Sequence, residues 1–199
     1  MPSEKPSRPE LRQVTDVRTM RAITHPVRIA LIEALSLEGA MTATEAGEAI
    51  GESPTTCSFH LRQLAKYGFV EEAGGGKGRA RPWRMTSIGM SISSAAGDPQ
   101  ARVAASALSR LLQERHLARL QTWLETRSLY PQEWQKAAGQ NESVIYLTAA
   151  ELEELEEELV AILLPRYRER LTDPSLRPQG SLPVEILTFS YPIRFPDEG

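Results

Sequence analysis

Between Ser53 and Gly68 the chain carries a helix whose start, stop and inner face can all be read from the residues. Ser53 offers a hydroxyl acceptor to the unpaired amides of a first turn, and Pro54 suits the first helical position, where no amide donor is needed. Gly68 permits the left-handed residue on which a helix ends. Within these limits Cys57, Leu61 and Leu64 recur at i, i+4 and i+7, so they share one apolar stripe that has to be covered. The opposite face is left with Thr55, Thr56, Phe59, Arg62, Gln63 and Lys66, roughly one turn apart, which is a polar and basic surface.

The flanking segments are short and similarly punctuated. Residues 1–12 are polar and rich in Pro and charge, so they are expected to form a disordered arm. Residues 15–23 read as a helix with Val17, Met20 and Ile23 inward. Pro26 opens a second helix carrying Ile29, Ile32 and Leu35, ended by Gly39, and residues 44–50 make a third with Ala46, Ala49 and Ile50 on one side, closed by Gly51. After the fourth helix, at 54–67, Phe69 and Val70 begin a strand. The run from Gly74 to Gly78 is a flexible tip, and residues 81–86 return as a second strand. The expectation is mainly α with small β: a winged helix-turn-helix domain over 13–93, then a C-terminal α+β region over 98–199 built on a long dimerisation helix.

The net charge of -3 conceals an asymmetry along the chain. From residue 53 to 84, Arg62, Lys66, Lys77, Arg79, Arg81 and Arg84 stand against Glu71 and Glu72 only. Beyond Asp98 acid dominates, with Glu151, Glu153, Glu154, Glu156, Glu157 and Glu158 close together; phosphate repels such a surface. A DNA-facing surface therefore belongs to the first half. The helix at 54–67 is expected in the major groove, with Gln63 reading a base edge and Arg62 taking guanine or phosphate. Thr55, Thr56 and Phe59 offer hydroxyls or apolar contact to a thymine methyl, and Lys66 suits phosphate. The wing at 74–84 lies on the flanking backbone or in the minor groove, with Lys77, Arg79, Arg81 and Arg84 supplying charge and Arg79 able to insert. A basic helix face taken alone is often only a solvated face; the adjoining basic hairpin argues for nucleic acid.

The stretches ThrHisProValArgIle at 24–29, SerPheHisLeuArgGlnLeuAlaLysTyrGlyPheValGlu at 58–71 and GlyArgAlaArgProTrpArg at 78–84 resemble the ArsR-type (ArsR/SmtB-like) winged helix-turn-helix transcriptional regulators. Ser58, His60, Leu61, Arg62 and Leu64 match the recognition-helix motif. The resemblance implies a homodimeric, repressor-like protein on a palindromic operator, and with Ser53 at the cap it makes Ser53, Ser58 and His60 further candidate DNA contacts. His60 reads at least as well as a partly buried histidine bonding a neighbouring backbone group. Many relatives of that type sense metal through a Cys pair or through His and carboxylates. Here the third helix has no Cys, Cys57 stands alone, and His25, His60 and His116 are scattered, so no metal and no cofactor are expected. The resemblance is therefore to a non-metal-sensing variety with an extra C-terminal region.

Asp98 and Pro99 open a long helix to about residue 126, with Ala104, Leu108, Leu112, His116, Leu120 and Trp123 as its stripe. Leu108, Leu112, His116, Leu120 and Trp123 are the expected dimer contacts; a two-fold pair would set two recognition helices ~34 Å apart. His116 reads as core or interface in preference to a sensor, and Cys57 as a small core residue in preference to a redox switch. Further on, residues 144–147 and 184–189 read as strands. A helix follows the capping box Thr148–Glu151, with Leu152, Leu155, Leu159 and Ile162 inward and Pro165 kinking or ending it. Trp123, Tyr130, Trp134, Tyr146, Tyr167, Phe189 and Tyr191 either fill the core of this half or line a pocket for a small apolar effector. No catalytic triad, HExxH or GxxxxGK[ST] loop occurs, so an enzyme is not expected. With one cysteine, no secretory leader and no run on the order of 18 apolar residues, a cytoplasmic, nucleoid-associated bacterial protein is expected. The competing reading is a winged-helix module that binds a protein partner and no DNA.

Overall fold

Four side chains start the first four helices. Asp16 accepts from the Thr19 amide, His25 Nδ1 from Val27, Thr42 from Glu45 in a full capping box, and Ser53 from Thr56. In each case a polar atom two or three residues before an orphan amide satisfies it, which fixes where the chain turns into the helix. The computed structural model describes residues 11–74, 81–92 and 98–194. It comprises strand β1 (Leu11–Val14) and helices α1 (Val17–Ile23), α2 (Pro26–Glu38), α3 (Ala43–Ile50) and α4 (Pro54–Lys66). Strands β2 (Val70–Glu72), β3 (Trp83–Met85) and β4 (Gly89–Ile92) follow, then helices α5 (Pro99–Thr126), α6 (Gln132–Ala137) and α7 (Ala149–Thr172). The chain is mainly helical with small sheets, as its sequence implies.

Two compact units divide at residues 143 and 144. In the first, the core collects Met20, Ile23, Leu31, Leu35, Leu61, Leu64, Phe69 and Leu108 from five segments of chain. The stripe of α4 is sealed completely: Cys57, Leu61 and Leu64 are each 0% exposed. β2 and β3 pair antiparallel in the register Val70↔Met85, Glu71↔Arg84, Glu72↔Trp83. Met41, between α2 and α3, exchanges both backbone bonds with Trp83 (2.9 and 2.7 Å), so the segment before α3 lies along the hairpin.

Several expectations are corrected. Residues 11 and 12 were assigned to a disordered arm but belong to β1, which pairs in parallel with β4, Leu11↔Gly89 to Val14↔Ile92. Local composition misled, because the partner strand lies far along the chain. Residues 1–10 of that arm lie outside the described residues. The strands expected at 144–147 and 184–189 do not form: all described strand pairing lies in the first unit, and apolar residues without a ladder partner are not a strand. Val144, Ile145 and Tyr146 stand 67, 60 and 99% exposed. α7 begins at the predicted capping box but continues past Pro165 to Thr172, so the proline does not end it. α5 has its predicted cap and length, yet Leu108 is fully buried in the chain's own core and Leu112 packs beside it. α5 packs on α1 within the chain, and Leu108 is used up in that core and unavailable to a partner. Glu33 of α2 fixes the next turns, accepting from Arg115 Nε at 3.1 Å and from Arg119 at 2.7 Å.

The approach of α3 to α4 tolerates no added atom at Gly47. A Cβ there would lie 2.6 Å from the Glu52 carbonyl oxygen, and the same turn is closed by the Glu52 amide bonding Gly47 O at 2.9 Å. Gly47→Ala is expected to destabilise the fold by roughly 1–3 kcal/mol, the range for overpacking a tight site. A denaturation midpoint equal to wild type would contradict this.

Candidate nucleic-acid interface

α4 presents the outer face expected of it. Thr55, Phe59, Arg62 and Lys66 are exposed, while Thr56, Ser58 and Gln63 are half-buried. The Ser53 hydroxyl is committed to the cap, meeting the Thr56 amide at 3.0 Å and the Thr56 hydroxyl at 2.8 Å. Arg62 is held back along the helix by the Ser58 hydroxyl at 2.8 Å. This one-turn contact keeps the guanidinium near the surface with donors to spare, since five N–H groups are available to it. Phe59 is 55% exposed and lies edge-on to His60, with centroids 5.1 Å apart.

His60 does not belong to this face. It is 7% exposed, turned toward α2, where its Nδ1 accepts from Arg28 Nε at 3.4 Å and its ring lies 4.4 Å from that of His25. Of the two readings open from sequence, the buried one is what the structure shows, with the Arg28 side chain in place of the expected backbone partner. Arg28 also donates to the Ala22 carbonyl, so this one guanidinium joins the end of α1 to the back of α4. Accepting at Nδ1 requires a neutral ring with its proton on Nε2. Burial, then the nearby His25 and Arg28, push the His60 imidazolium below its ordinary range, against a weaker opposing pull from Glu52. Cys57 is sealed in the core, and burial followed by Glu52 raises its thiol, which keeps it protonated and unreactive.

The described part of the wing is less basic than the sequence count suggests. Arg84 bonds Glu71 directly across the hairpin at 2.7 Å, and Arg81 meets Glu72 at 2.8 Å. All four side chains are well exposed, so each pair is worth no more than about 1 kcal/mol and exchanges readily with phosphate. Lys77 and Arg79, the expected wing-tip contacts, lie outside the described residues.

Where α4 ends, three segments converge on one carbonyl. Gly68, at φ +70°, accepts at its oxygen from the Arg12 guanidinium of β1 and from the Thr86 hydroxyl at 2.7 Å. Arg12 also donates to the Tyr67 carbonyl and lies over the Phe69 ring, 4.2 Å from its centroid. Burial lowers its affinity for the proton, with Asp16 opposing. Sequence reading missed Arg12 because its acceptors are backbone atoms more than fifty residues away.

Elsewhere, the aromatic residues proposed for an effector pocket divide between the units. Trp123, Tyr130 and Trp134 lie in the first and Tyr146, Tyr167, Phe189 and Tyr191 in the second, where Tyr146, Phe189 and Tyr191 are 99, 53 and 71% exposed. Among the described residues no group of three or more His, Cys, Asp or Glu side chains is placed to hold a metal ion, and no helix is long and apolar enough to cross a membrane.

Residues 23–73 match a family model described as "Helix-turn-helix domain". No curated protein matches the chain. Among solved structures, it is similar to the AntR antimony-specific transcriptional repressor at 21% identity and TM-score 0.34, covering 51% of this chain and 79% of that one. It is also similar to the homodimeric winged helix-turn-helix DNA-binding domain of Mb0332 from Mycobacterium bovis, described as a possible ArsR-family transcriptional regulator. That similarity is at 25% identity and TM-score 0.33, covering 50% and 79%. A third, described only as a transcriptional regulator, is 21% identical with TM-score 0.27, covering 72% and 86%. The segment matched by the helix-turn-helix model runs from the end of α1 through β2, and it contains the first two of the stretches that resemble the ArsR type.

The buried His60 gives stability a pH dependence of known sign. Its folded-state pKa lies below the unfolded value of 6.5, so the unfolded chain binds the proton more tightly. The contribution is complete above pH 6.5 and is lost as pH falls through the lowered folded value. His60→Gln is expected to remove that component of the fall in denaturation midpoint between pH 7 and pH 5. Identical pH profiles for the variant and wild type would show that His60 carries no such linkage.

Proposed function

We propose that this chain is a sequence-specific DNA-binding transcription regulator that acts as a dimeric repressor on a palindromic operator. α4 enters the major groove and the wing, residues 74–84, lies on the flanking backbone or minor groove. The observation that carries this reading is the division of α4 within a matched helix-turn-helix segment. Its apolar stripe is wholly buried, while Thr55, Phe59, Arg62 and Lys66 project outward together. Gln63, half-buried beside Arg62, reads a base edge, with Thr56 and Ser58 half-buried on the same helix supporting that reading. Ser53 contributes by capping the helix whose N-terminal turn approaches DNA. His60 contributes by packing and not by contact. The chemistry is recognition and not catalysis.

Dimerisation belongs to the outer face of α5. With Leu108 and Leu112 used internally, the apolar residues it offers are Val103, Leu117, Leu120 and Leu124, exposed by 71, 55, 36 and 47%. Leu117 and Leu124 are seven residues apart and Val103 lies two such repeats before Leu117, with Arg110 at the position between; this is the repeat by which a helix presents one seam to a two-fold copy. His116 and Trp123 flank that seam, each half-buried. Leu117→Glu with Leu124→Glu is expected to yield a monomer by sedimentation velocity. A double variant that still sediments as a dimer would move the interface elsewhere.

Binding of a duplex selected by the protein from a random library is expected to weaken steeply with salt. Lys66→Ala should lower the slope of log K against log salt by about 1, uniformly across sequences, and Gln63→Ala should relax preference at one base pair by ~1–3 kcal/mol. Arg81→Ala and Arg84→Ala should alter the slope less than Lys66→Ala, because each arginine already faces a carboxylate. An absence of any duplex binding at low salt would defeat this reading and leave the winged fold as a scaffold for a protein partner.

A further inference from the structure

Arg12 lies outside the helix-turn-helix segment, on β1, yet its guanidinium reaches the terminus of α4. It donates to the carbonyls of Tyr67 and Gly68, the residues on which that helix closes. A cation here meets the negative end of the helix, and the planar fork suits two neighbouring carbonyls as an ammonium cannot. The Phe69 ring beneath it, 4.2 Å from the guanidinium carbon, fixes the plane of the fork. A Cβ on Gly68 would come within 3.0 Å of Arg12 Nη1, so the junction is closely fitted.

The wing reaches the same point. Thr86, one residue past β3, donates its hydroxyl to Gly68 O at 2.7 Å, and its amide bonds Phe69 O at 3.1 Å. β4 then runs in parallel register with β1, pairing Arg12 with Met90. The end of α4, the return strand of the hairpin and the N-terminal strand are therefore tied through one carbonyl. A carbonyl oxygen has two lone pairs, and this one uses both.

We propose that Arg12 is a positioning residue for sequence readout: with Thr86, through the Gly68 carbonyl, it holds the recognition helix at a set angle to the wing. The proposal rests on the DNA-binding reading above. Base-edge contacts require the helix and wing to be seated together, whereas loose binding to phosphate does not. If loss of the fork leaves the seated arrangement populated about a tenth of the time, specific affinity falls about ten-fold, because apparent affinity scales with the competent fraction.

The test measures the full chain by fluorescence anisotropy on a duplex that wild type has enriched from a random library, and on a scrambled duplex of equal length. Arg12→Ala is expected to weaken binding to the enriched duplex about ten-fold while changing the scrambled duplex less than two-fold, with the salt slope unchanged. Arg12→Lys should recover part of the discrimination, and Thr86→Val, which removes only the hydroxyl, should lose a smaller part. Unaltered discrimination in Arg12→Ala overturns the proposal. So does equal weakening on both duplexes with a shallower salt slope, which would make Arg12 a phosphate contact. If Arg12→Ala shows no cooperative unfolding transition, Arg12→Lys and Thr86→Val decide, and wild-type discrimination in both overturns it. A wild-type chain that enriches no duplex overturns the DNA-binding reading itself, which separates that failure from this one.

Discussion

The complete burial of Cys57, Leu61 and Leu64 is the constraint on which the first unit depends. Three apolar side chains on one stripe can be satisfied only by a closed layer, and α2, α3 and β2 close it. Once that stripe is fixed, helical geometry leaves no freedom for the opposite side: Thr55, Phe59, Arg62 and Lys66 must point away from the core. The outward surface is thus a consequence of the inward one. Gly47 and Gly51 let α3 come close enough to make the seal, one by having no Cβ against the Glu52 carbonyl and the other by adopting φ +74°.

Hydrophobic burial fixes which face of α4 is outward but not its tilt, because apolar contact is non-directional. Direction comes from a few polar contacts at its ends and back. Ser53 sets the N-terminus, Arg28 meets His60 from behind, and Arg12 and Thr86 meet the C-terminal carbonyls. Each bond is modest in net energy, and each has a preferred angle. A recognition surface that has to match base edges within a fraction of an ångström needs restraints of that kind in addition to an apolar seal.

What the sequence revealed follows from the range of the forces involved. Ser53, Asp98 and Thr148 were legible as caps because a cap acts over three residues, and the stripe of α4 because a helix repeats over four. The pairing of β1 with β4 was not, since nothing local in Leu11 to Val14 names its partner. The strands expected at 144–147 and 184–189 failed for the complementary reason: their residues have strand character, but a strand requires a second one beside it. His60 was legible only as an ambiguity, which Arg28 and His25 resolve by position. Leu108 was correctly placed on an apolar stripe and assigned to the wrong partner. Periodicity shows that a face is covered without showing by what.

The wing illustrates how charge counted along a chain differs from charge in place. Arg81 and Arg84 contribute to the positive excess of this segment, yet the register Glu71↔Arg84 sets a carboxylate opposite the second and Glu72 takes the first. Among the described residues the outer face of α4 does carry uncompensated cations: Arg62 is bonded only to a neutral hydroxyl and Lys66 stands exposed. On the proposed DNA-binding reading, phosphate is attracted to that helix, and the arginines of the hairpin join it as their exposed ion pairs exchange one anion for another. Because such an exchange costs little, the paired arginines of the hairpin remain available to an approaching anion.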